Sequence, residues 1–337
     1  MRNIYDLTIK ELEDYFISIN EKKFRAVQVY EAIYKRRVKS FDDMTNISKE
    51  VREKLKQDFS FYKIKMLVKQ QGKNVNKYLF ELEDGNKIES VLMFHDYGTS
   101  ICVSSQVGCN MTCAFCESGR LKKVRNLLAY EIVQQILQIE EDINKRITHV
   151  VLMGIGEPFD NYDNVLRFVK IINCGKGIDI GSRHITISTC GVIPGIKKFM
   201  NEEGQVNLAI SLHAPNNTIR SRIMPINKAY PLNELMETIK EYINKTNRRV
   251  TFEYIMLDNV NDSEENAKEL ALLLKGINCY VNLIPYNETE NIKFKRTKEW
   301  KIMKFYDILK KNKINVTIRK EFGGSVDAAC GQLRANN

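Results

Sequence analysis

Three cysteines lie close together in the stretch SSQVGCNMTCAFCESGR, residues 104–120. Cys109, Cys113 and Cys116 form a C-x₃-C-x₂-C array directly after the predicted strand ICVSS. Thiolates bind iron–sulfur clusters, and three of them leave one iron of a 4Fe–4S cluster open to a small molecule. A structural zinc ion takes four protein ligands, so a zinc site would need a fourth ligand from elsewhere. The spacing favours a 4Fe–4S cluster, with such a zinc site and incidental buried cysteines as the alternatives.

Candidate fourth ligands for zinc are scattered along the sequence. The four histidines are His95, His149, His184 and His213, and no second CxxC or CxxH pair occurs. A zinc ion would therefore depend on a residue far from the cysteine array in the sequence.

A glycine-containing turn follows one strand–helix unit after the cysteines. In VVLMGIGEP, residues 150–158, a predicted strand runs into Gly154, Gly156, Glu157 and Pro158. Glycines allow a backbone to approach a ligand closely. Alone, the motif would indicate no more than a tight turn. Because it follows the cysteine array at the next predicted strand end, it indicates a ligand site there.

Cys330 lies near the end of the chain in VDAACGQLRANN, just past the last predicted strand. It stands in a loop of small residues next to Gly331. In α/β barrels the catalytic groups collect on the loops that follow the carboxyl ends of the strands. Cys330 is therefore a candidate catalytic thiol, with a purely structural cysteine as the alternative.

Strand-like and helix-like segments alternate over about 200 residues, which indicates a parallel sheet covered by helices. The predicted strands are ITHVVLMG, HITISTC, VNLAISLH, VTFEYIML, CYVNLIPY and INVTIRKEF. The fold class is therefore α/β, a full or partial TIM-like barrel, with a flat doubly wound sheet as the alternative. Residues 1–65 are predicted to form a helical accessory domain, 66–98 connecting strands with a hairpin at Asp84–Gly85, and 99–337 the barrel.

The chain has 337 residues, a formal net charge of +10 and a pI of about 9.0. This surplus favours an anionic partner, with nucleic acid ahead of a membrane. Residues 22–39 hold seven Lys or Arg against one acid, which fits an RNA-contacting helix or a merely solvated one. No apolar run is long enough to predict a membrane span, and the acid-containing N-terminus does not resemble a signal peptide. A reducing cytoplasm is expected, where eight cysteines indicate metal binding or catalysis rather than disulfides.

The cysteine array, with Phe115 between its last two cysteines, is similar to that of radical S-adenosylmethionine (SAM) enzymes. The wider chain resembles one family among them, the radical SAM RNA adenine methyltransferases RlmN and Cfr. The resemblance runs in order through FRAVQVYEAIY, GNKIESVLM, CVSSQVGC, MGIGEP, SLHAPNNTIRSRIMPIN, NLIPYN and DAACGQL. It implies a partial (β/α)₆ barrel with an N-terminal helical accessory domain.

The resemblance implies a 4Fe–4S cluster and two molecules of SAM per turnover. One SAM methylates Cys330, and the radical formed from the other activates that methyl group for addition to the base. Cys102 would release the product through a transient disulfide with Cys330, and Glu89 stands at the position of the proton acceptor, with Cys102 as a rival. The implied cofactor contacts are Gly156, Glu157, Ser188, Ser211, Leu212, His213 and Asn287.

The family modifies RNA at one of two carbons. An RlmN-like enzyme methylates carbon 2 of an adenosine in 23S rRNA, and often the adenosine 3′ of a tRNA anticodon; a Cfr-like enzyme methylates carbon 8. CVSSQVGC, MGxGEP and SLHAPN favour carbon 2, whereas the short chain and NRRV before YIMLDNVNDS favour carbon 8. Carbon 2 is preferred, and a non-catalytic RNA-binding iron–sulfur protein is a further alternative. The expected electron donor is a flavodoxin or ferredoxin, and a monomer is expected.

Two residues depart from the family pattern. Glu117 follows the last cysteine of the array, where a small residue is expected. Its charge could shift the potential of a cluster or point to solvent. Cys190 replaces a small residue in STCG, and with Cys174 and Cys279 it is predicted to be a small buried hydrophobic residue.

Overall fold

The structure, a computed structural model, describes residues 1–202 and 204–319. The predictions for Cys330 lie outside these residues. The strands are β1 (Arg2–Asn3), β2 (Phe59–Ser60), β3 (Lys65–Gly72), β4 (Val75–Glu81), β5 (Lys87–His95), β6 (Gly98–Cys102), β7 (Gln106–Val107), β8 (Arg125–Asn126), β9 (His149–Leu152), β10 (Ile185–Thr189), β11 (Asn207–Ser211), β12 (Val250–Met256), β13 (Cys279–Pro285) and β14 (Val316–Ile318). The helices are α1 (Ile9–Ser18), α2 (Phe24–Tyr34), α3 (Lys49–Asp58), α4 (Ala129–Ile143), α5 (Tyr162–Asn173), α6 (Ile193–Phe199), α7 (Asn217–Ile223), α8 (Leu232–Thr246), α9 (Glu264–Leu273) and α10 (Glu299–Lys311).

A parallel array carries the larger part of the chain. Its strands lie in the order β6-β9-β10-β11-β12-β13-β14, and every neighbouring pair is parallel. At least one helix lies between each strand and the next, so six strand–helix units precede β14. The strand order follows the chain order, whereas a doubly wound sheet reverses its order at a switch point. The predicted partial (β/α)₆ barrel is therefore confirmed.

The hydrophobic pattern of the sequence explains these elements. Strands such as β12 are buried at almost every position, as expected for parallel strands covered on both faces. In α5 the buried residues Val165, Phe168, Val169 and Ile172 recur at intervals of three and four, so one face of the helix packs on the sheet. Among the described residues, no helix is both long and apolar enough to cross a membrane.

Strands β3, β4 and β5 continue the barrel's sheet in antiparallel fashion beyond β6. The hairpin between β4 and β5 turns at Asp84–Gly85 as predicted, with Gly85 at φ +80°. Strand β5 pairs with β6 so that Val91 lies opposite Cys102. The segment 66–98 therefore lies beside the strand that leads into the cysteine array.

The N-terminal helix α1 contacts the barrel through a partly buried ion pair between Glu11 and Arg167. Thr8 caps α1, and Glu11 completes the capping box. The Glu11 carboxylate also accepts hydrogen bonds from Arg167 Nη1 of α5 at 2.6 Å. Burial disfavours the charge on Glu11, but the hydrogen bonds from Arg167, Thr8 and Arg2 outweigh it and lower the pKa of its carboxyl to about 2. Glu11 thus links the accessory helices to the barrel.

We expect Glu11→Gln to lower the free energy of unfolding by about 1 kcal/mol at pH 7, a value discounted for the partial exposure of the pair. Because the native pKa lies below its ordinary value, the wild-type contribution is complete above about pH 4.5 and is lost as the pH falls towards 2. The difference between the two proteins, measured by urea unfolding, should shrink over that range.

Asp14→Asn is the matched control, because Asp14 pairs with Lys10 on an exposed face of the same helix. Its effect should be much smaller than that of Glu11→Gln, because solvent screens the exposed pair. A Glu11→Gln effect no larger than that of the control, or one independent of pH, would contradict the assigned role of Glu11.

Candidate active site

One cavity lies at the carboxyl ends of β6, β9, β10 and β11, where the sequence predicted the site. Its lining includes nine of the predicted site residues: Cys102, Cys109, Cys113, Cys116, Gly156, Glu157, Ser188, Ser211 and His213. Of the predicted site residues that the structure describes, three are not in the lining: Glu89, Leu212 and Asn287. The cavity therefore brings together all three cysteines of the array and most of the predicted cofactor contacts.

The cysteine array forms a tight loop between the short paired strands β7 and β8. The loop is closed by backbone hydrogen bonds from Cys109 N–H to Leu121 O at 2.9 Å and from Cys116 N–H to Cys113 O at 3.1 Å. A Cβ atom on Gly119 would lie 2.9 Å from both the nitrogen and the oxygen of Cys113. Only glycine therefore fits where the loop folds back on itself, and this turn presents the thiols to the cavity.

The three thiols suit a cluster better than a single ion. Among the described residues, no group of three or more His, Cys, Asp or Glu side chains is placed to hold one metal ion. A zinc ion needs all its ligands within about 2.3 Å of one point, whereas a 4Fe–4S cluster spreads its irons over a cube and accepts thiolates that stand farther apart. Burial raises the pKa of the Cys109 thiol to about 12 and that of Cys113 well above its ordinary value. Metal binding would therefore displace their protons.

Three of the four histidines that are scattered in the sequence meet in space, but at the opposite end of the sheet. His149 and His184 stack at 4.4 Å near the amino ends of β9 and β10, and Tyr97 stacks on His95. The remaining histidine, His213, lines the cavity. His95, His149 and His184 therefore supply no ligand to the cysteine array.

The glycines of the GIGEP turn are required by packing against the protein itself. A Cβ atom on Gly154 would lie 2.6 Å from Val103 O. Gly156 has φ +111°, and a Cβ there would lie 2.7 Å from the Cβ of Gln106. The sequence predicted that these glycines let the backbone approach a ligand. They also let the turn pack closely against the segment that follows β6, and this packing fixes the turn beside the cysteine array.

Glu157 bridges two strand ends. It is 3% exposed, and its carboxylate accepts hydrogen bonds from Phe159 N–H at 2.9 Å and Cys190 N–H at 2.7 Å. Burial raises the pKa of Glu157, and the bonds from Cys190 and Phe159 oppose that rise. Its own N–H donates to Gln106 Oε1 at 2.9 Å. Glu157 therefore joins the loop after β9 to the loop after β10, in addition to lining the cavity.

His213 is a neutral, fixed side chain at the cavity wall. Its backbone is left-handed, with φ +57°. The Nδ1 atom accepts the backbone N–H of Ile255 at 3.0 Å, so the ring proton resides on Nε2. Burial lowers the pKa of His213 to about 3. The ring meets Phe115 of the cysteine loop edge-on at 4.9 Å, and so supports that loop.

Cys102 and Glu89 lie on the adjoining strands β6 and β5. Cys102 packs against the apolar side chains around Val91 and lines the cavity. Glu89 is 1% exposed, and its carboxylate forms an ion pair with Lys77 Nζ at 2.9 Å. It lies two residues before Val91 on the same face of β5, just outside the cavity lining.

Leu212 and Asn287 differ in how they relate to the cavity. The Leu212 side chain lies in the hydrophobic core, so only its backbone can serve the site. Asn287 is half-buried and lies two residues after the end of β13. The alternation of side chains at the end of β11 explains why Ser211 and His213 line the cavity while Leu212 points into the core.

The two departures from the family pattern are both buried. Glu117 is 3% exposed, which excludes the alternative that it points to solvent. Its carboxylate accepts a hydrogen bond from Asn291 Nδ2 at 3.4 Å and lies 3.8 Å from Arg120 Nε. Cys190 is buried in the cavity wall, and Cys279 is buried in the core as predicted, whereas Cys174 is half-buried.

Sequence reasoning missed Arg220, a fully buried side chain of α7. Its guanidinium donates to Cys190 O at 2.6 Å, Leu212 O at 3.2 Å and Asn227 Oδ1 at 2.9 Å. The only signal for Arg220 in the sequence is its place within SLHAPNNTIRSRIMPIN. An arginine in a short polar helix would otherwise be expected at the surface.

Comparison with known proteins agrees with this geometry. Residues 2–60 match the family described as "Ribosomal RNA large subunit methyltransferase N-terminal domain", and residues 103–271 match the "Radical SAM superfamily". A solved radical SAM methyltransferase from Sphaerobacter thermophilus superposes with a TM-score of 0.94 at 40% identity and covers 100% of both chains.

Two curated relatives are similar over nearly their whole length. The "Probable dual-specificity RNA methyltransferase RlmN" of Spiroplasma citri is 54% identical over 100% of this chain and 98% of its own. The protein of the same name from Enterococcus faecalis is 54% identical over 99% of this chain and 96% of its own. With a cavity lined by the three cysteines, these similarities show that the chain belongs to the RlmN family of radical SAM RNA methyltransferases.

Proposed function

We propose that this enzyme methylates carbon 2 of an adenosine in 23S rRNA, with the adenosine 3′ of a tRNA anticodon as a second substrate. One observation carries the proposal: the three cysteines of the array, five of the predicted cofactor contacts and Cys102 line a single cavity. The names of the relatives, which describe a dual-specificity RNA methyltransferase, support two RNA substrates.

In this proposal Cys109, Cys113 and Cys116 hold a 4Fe–4S cluster, and two molecules of SAM are used per turnover. When bound there, the cluster would supply the electron for the reductive cleavage of SAM. The walls formed by Gly156 and Glu157 orient the cofactor beside the thiols. The apolar surroundings of the cavity exclude water from the reacting groups.

Carbon 2 of adenine is electron-poor, so an ordinary displacement of a methyl group onto it would fail, whereas a carbon radical can add to it. The proposed methyl carrier is Cys330. Cys102 is the proposed resolving thiol: it forms a disulfide with Cys330 as the bond between Cys330 and the methylated base breaks. The apolar packing of Cys102 beside Val91 keeps this thiol at the cavity wall.

Two groups are candidates for removal of the ring proton. Glu89 is buried close to the cavity and forms an ion pair with Lys77. Cys102 lines the cavity itself. The proposed proton acceptor is one of these two residues.

The RNA is proposed to contact the basic N-terminal segment. Lys22, Lys23, Lys35, Arg36 and Lys39 are exposed there, and phosphate contacts of this kind weaken as salt rises. The target adenine has to leave its stack to meet the reacting groups, so base extrusion is expected. A flavodoxin or ferredoxin is the proposed electron donor, the cytoplasm the proposed compartment and a monomer the proposed state.

The carbon that is modified tests the proposed function directly. RNA from cells that express the enzyme is digested to nucleosides and compared with synthetic 2-methyladenosine and 8-methyladenosine by chromatography and mass spectrometry. We expect 2-methyladenosine that depends on the enzyme. An 8-methyladenosine product would contradict the proposed regiochemistry, and the absence of both products would contradict the function.

Cys113→Ala should abolish cluster binding. Mutation of a residue that only supports a metal ligand lowers metal affinity by about 10–100-fold. Loss of a ligand itself should therefore reduce bound iron at least tenfold after anaerobic reconstitution. Cys174→Ala is the matched control, because Cys174 is a half-buried cysteine that packs on the core away from the cavity lining. Equal iron contents in the two variants would argue against the cluster assignment.

Cys102→Ala should form the covalent protein–RNA adduct but fail to resolve it. We expect a cross-linked species on denaturing gels, and a methyl group of about 14 Da on Cys330 in the absence of RNA. Cys330→Ala should show neither species. Methylated RNA released by Cys102→Ala at the wild-type rate would show that another group resolves the adduct.

A further inference from the structure

Arg220 carries a positive charge into the interior beside the cysteine array. Among the described residues, Arg220 is one of the largest side chains that are fully buried, and its exposed fraction is 0%. All three of its closest hydrogen-bond partners are neutral oxygens: Cys190 O, Leu212 O and Asn227 Oδ1. A buried ion without a counter-ion costs several kcal/mol. The buried charge of Arg220 therefore lowers stability unless a nearby anion offsets it.

The helix that carries Arg220 is attached directly to the cysteine loop. Ile223, the last residue of α7, accepts the backbone N–H of Ala114 at 2.9 Å, between the second and third cysteines of the array. Cys190, whose carbonyl binds the guanidinium, lines the same cavity as Cys113. The guanidinium therefore lies directly behind Cys190 in the cavity wall.

Among the described residues, the buried carboxylates at the cavity form no ion pair with Arg220. Glu253 accepts a hydrogen bond from Asn282. Glu157 accepts the N–H of Cys190, whereas Arg220 donates to the carbonyl of Cys190, so the backbone of Cys190 lies between the two charges. Glu117 contacts Asn291 and lies near Arg120. Burial lowers the pKa of Arg220. The helix of Arg220 is hydrogen-bonded to the cysteine loop through Ala114, so the array is where an anion beside this charge is expected.

We propose that Arg220 is a positioning residue that raises the reduction potential of the bound cluster. The proposal rests on the proposed function in one respect, that a 4Fe–4S cluster binds the three cysteines. With three thiolates the cluster is anionic, and reduction adds one more negative charge. A fixed cation close by in a medium of low dielectric constant stabilises the reduced state more than the oxidised one. The carbonyl oxygens hold the guanidinium in place, so its charge cannot turn away.

The test is the midpoint potential of the cluster in the full-length, anaerobically reconstituted protein, followed by electron paramagnetic resonance during a redox titration. Arg220→Gln removes the charge but keeps hydrogen-bond donors. We expect it to lower the ratio of reduced to oxidised cluster at a given potential about tenfold, a downward shift of about 59 mV for one electron. Arg220→Lys keeps the charge and should restore most of the potential.

Arg222→Gln is the matched control, because Arg222 lies on the same short helix and is exposed to solvent. It removes the same charge from a screened position and should leave the potential nearly unchanged. Equal shifts in Arg220→Gln and Arg222→Gln would indicate a non-specific charge effect and overturn the proposal.

A second variant covers the case in which Arg220→Gln does not hold a cluster. Asn227→Asp keeps Arg220 but places a carboxylate at the atom that accepts its Nη1–H, which should neutralise the charge and lower the potential in the same direction. Full cluster content with a wild-type potential in either variant overturns the proposal. Loss of the cluster from both, while Arg222→Gln retains it, assigns Arg220 a structural role only and also overturns it. A wild-type protein that binds no cluster would instead contradict the proposed function.

Discussion

The backbone of Cys190 is held between two buried side chains, the acidic Glu157 and the basic Arg220. Its N–H donates to Glu157 at 2.7 Å, and its carbonyl accepts from Arg220 at 2.6 Å. Through these two bonds the loop after β9, the loop after β10 and the helix after β11 are fixed relative to one another. Because α7 is hydrogen-bonded in turn to the cysteine loop, the cavity wall is tied to the loop that carries the three thiols. The rest of the fold serves to bring these strand ends together.

The sequence could predict those parts of the site that depend on local spacing. The cysteine array, the GIGEP turn and the SLH segment each lie at a strand end, and parallel strands bring their carboxyl ends to one edge of the sheet. Strand–helix alternation predicted a helix-covered parallel sheet, and the family resemblance implied that it is a partial barrel. The hairpin at Asp84–Gly85 could be placed because glycine is needed for its left-handed turn.

The remainder depended on contacts between distant segments. The burial of Arg220 depends on carbonyl groups at the ends of β10 and β11 and on the side chain of Asn227. The residues next to Arg220 in the sequence do not predict these contacts. The burial of Glu117 likewise depends on Asn291, far along the chain. Glu89 was placed at the site by resemblance, yet its carboxylate meets Lys77 on the neighbouring strand. Cys330 lies outside the described residues, so its role stays a prediction.

In the proposed reaction, a methyl group reaches the base through a thiol-bound carbon radical. Turnover with SAM that carries a fully deuterated methyl group tests this route, with the methyladenosine product analysed by mass spectrometry after several turnovers. We expect the transferred group to have lost one of its deuterium atoms, because hydrogen abstraction precedes addition to the base. A product that retains the intact deuterated methyl group would show direct methyl transfer and rule out the radical route.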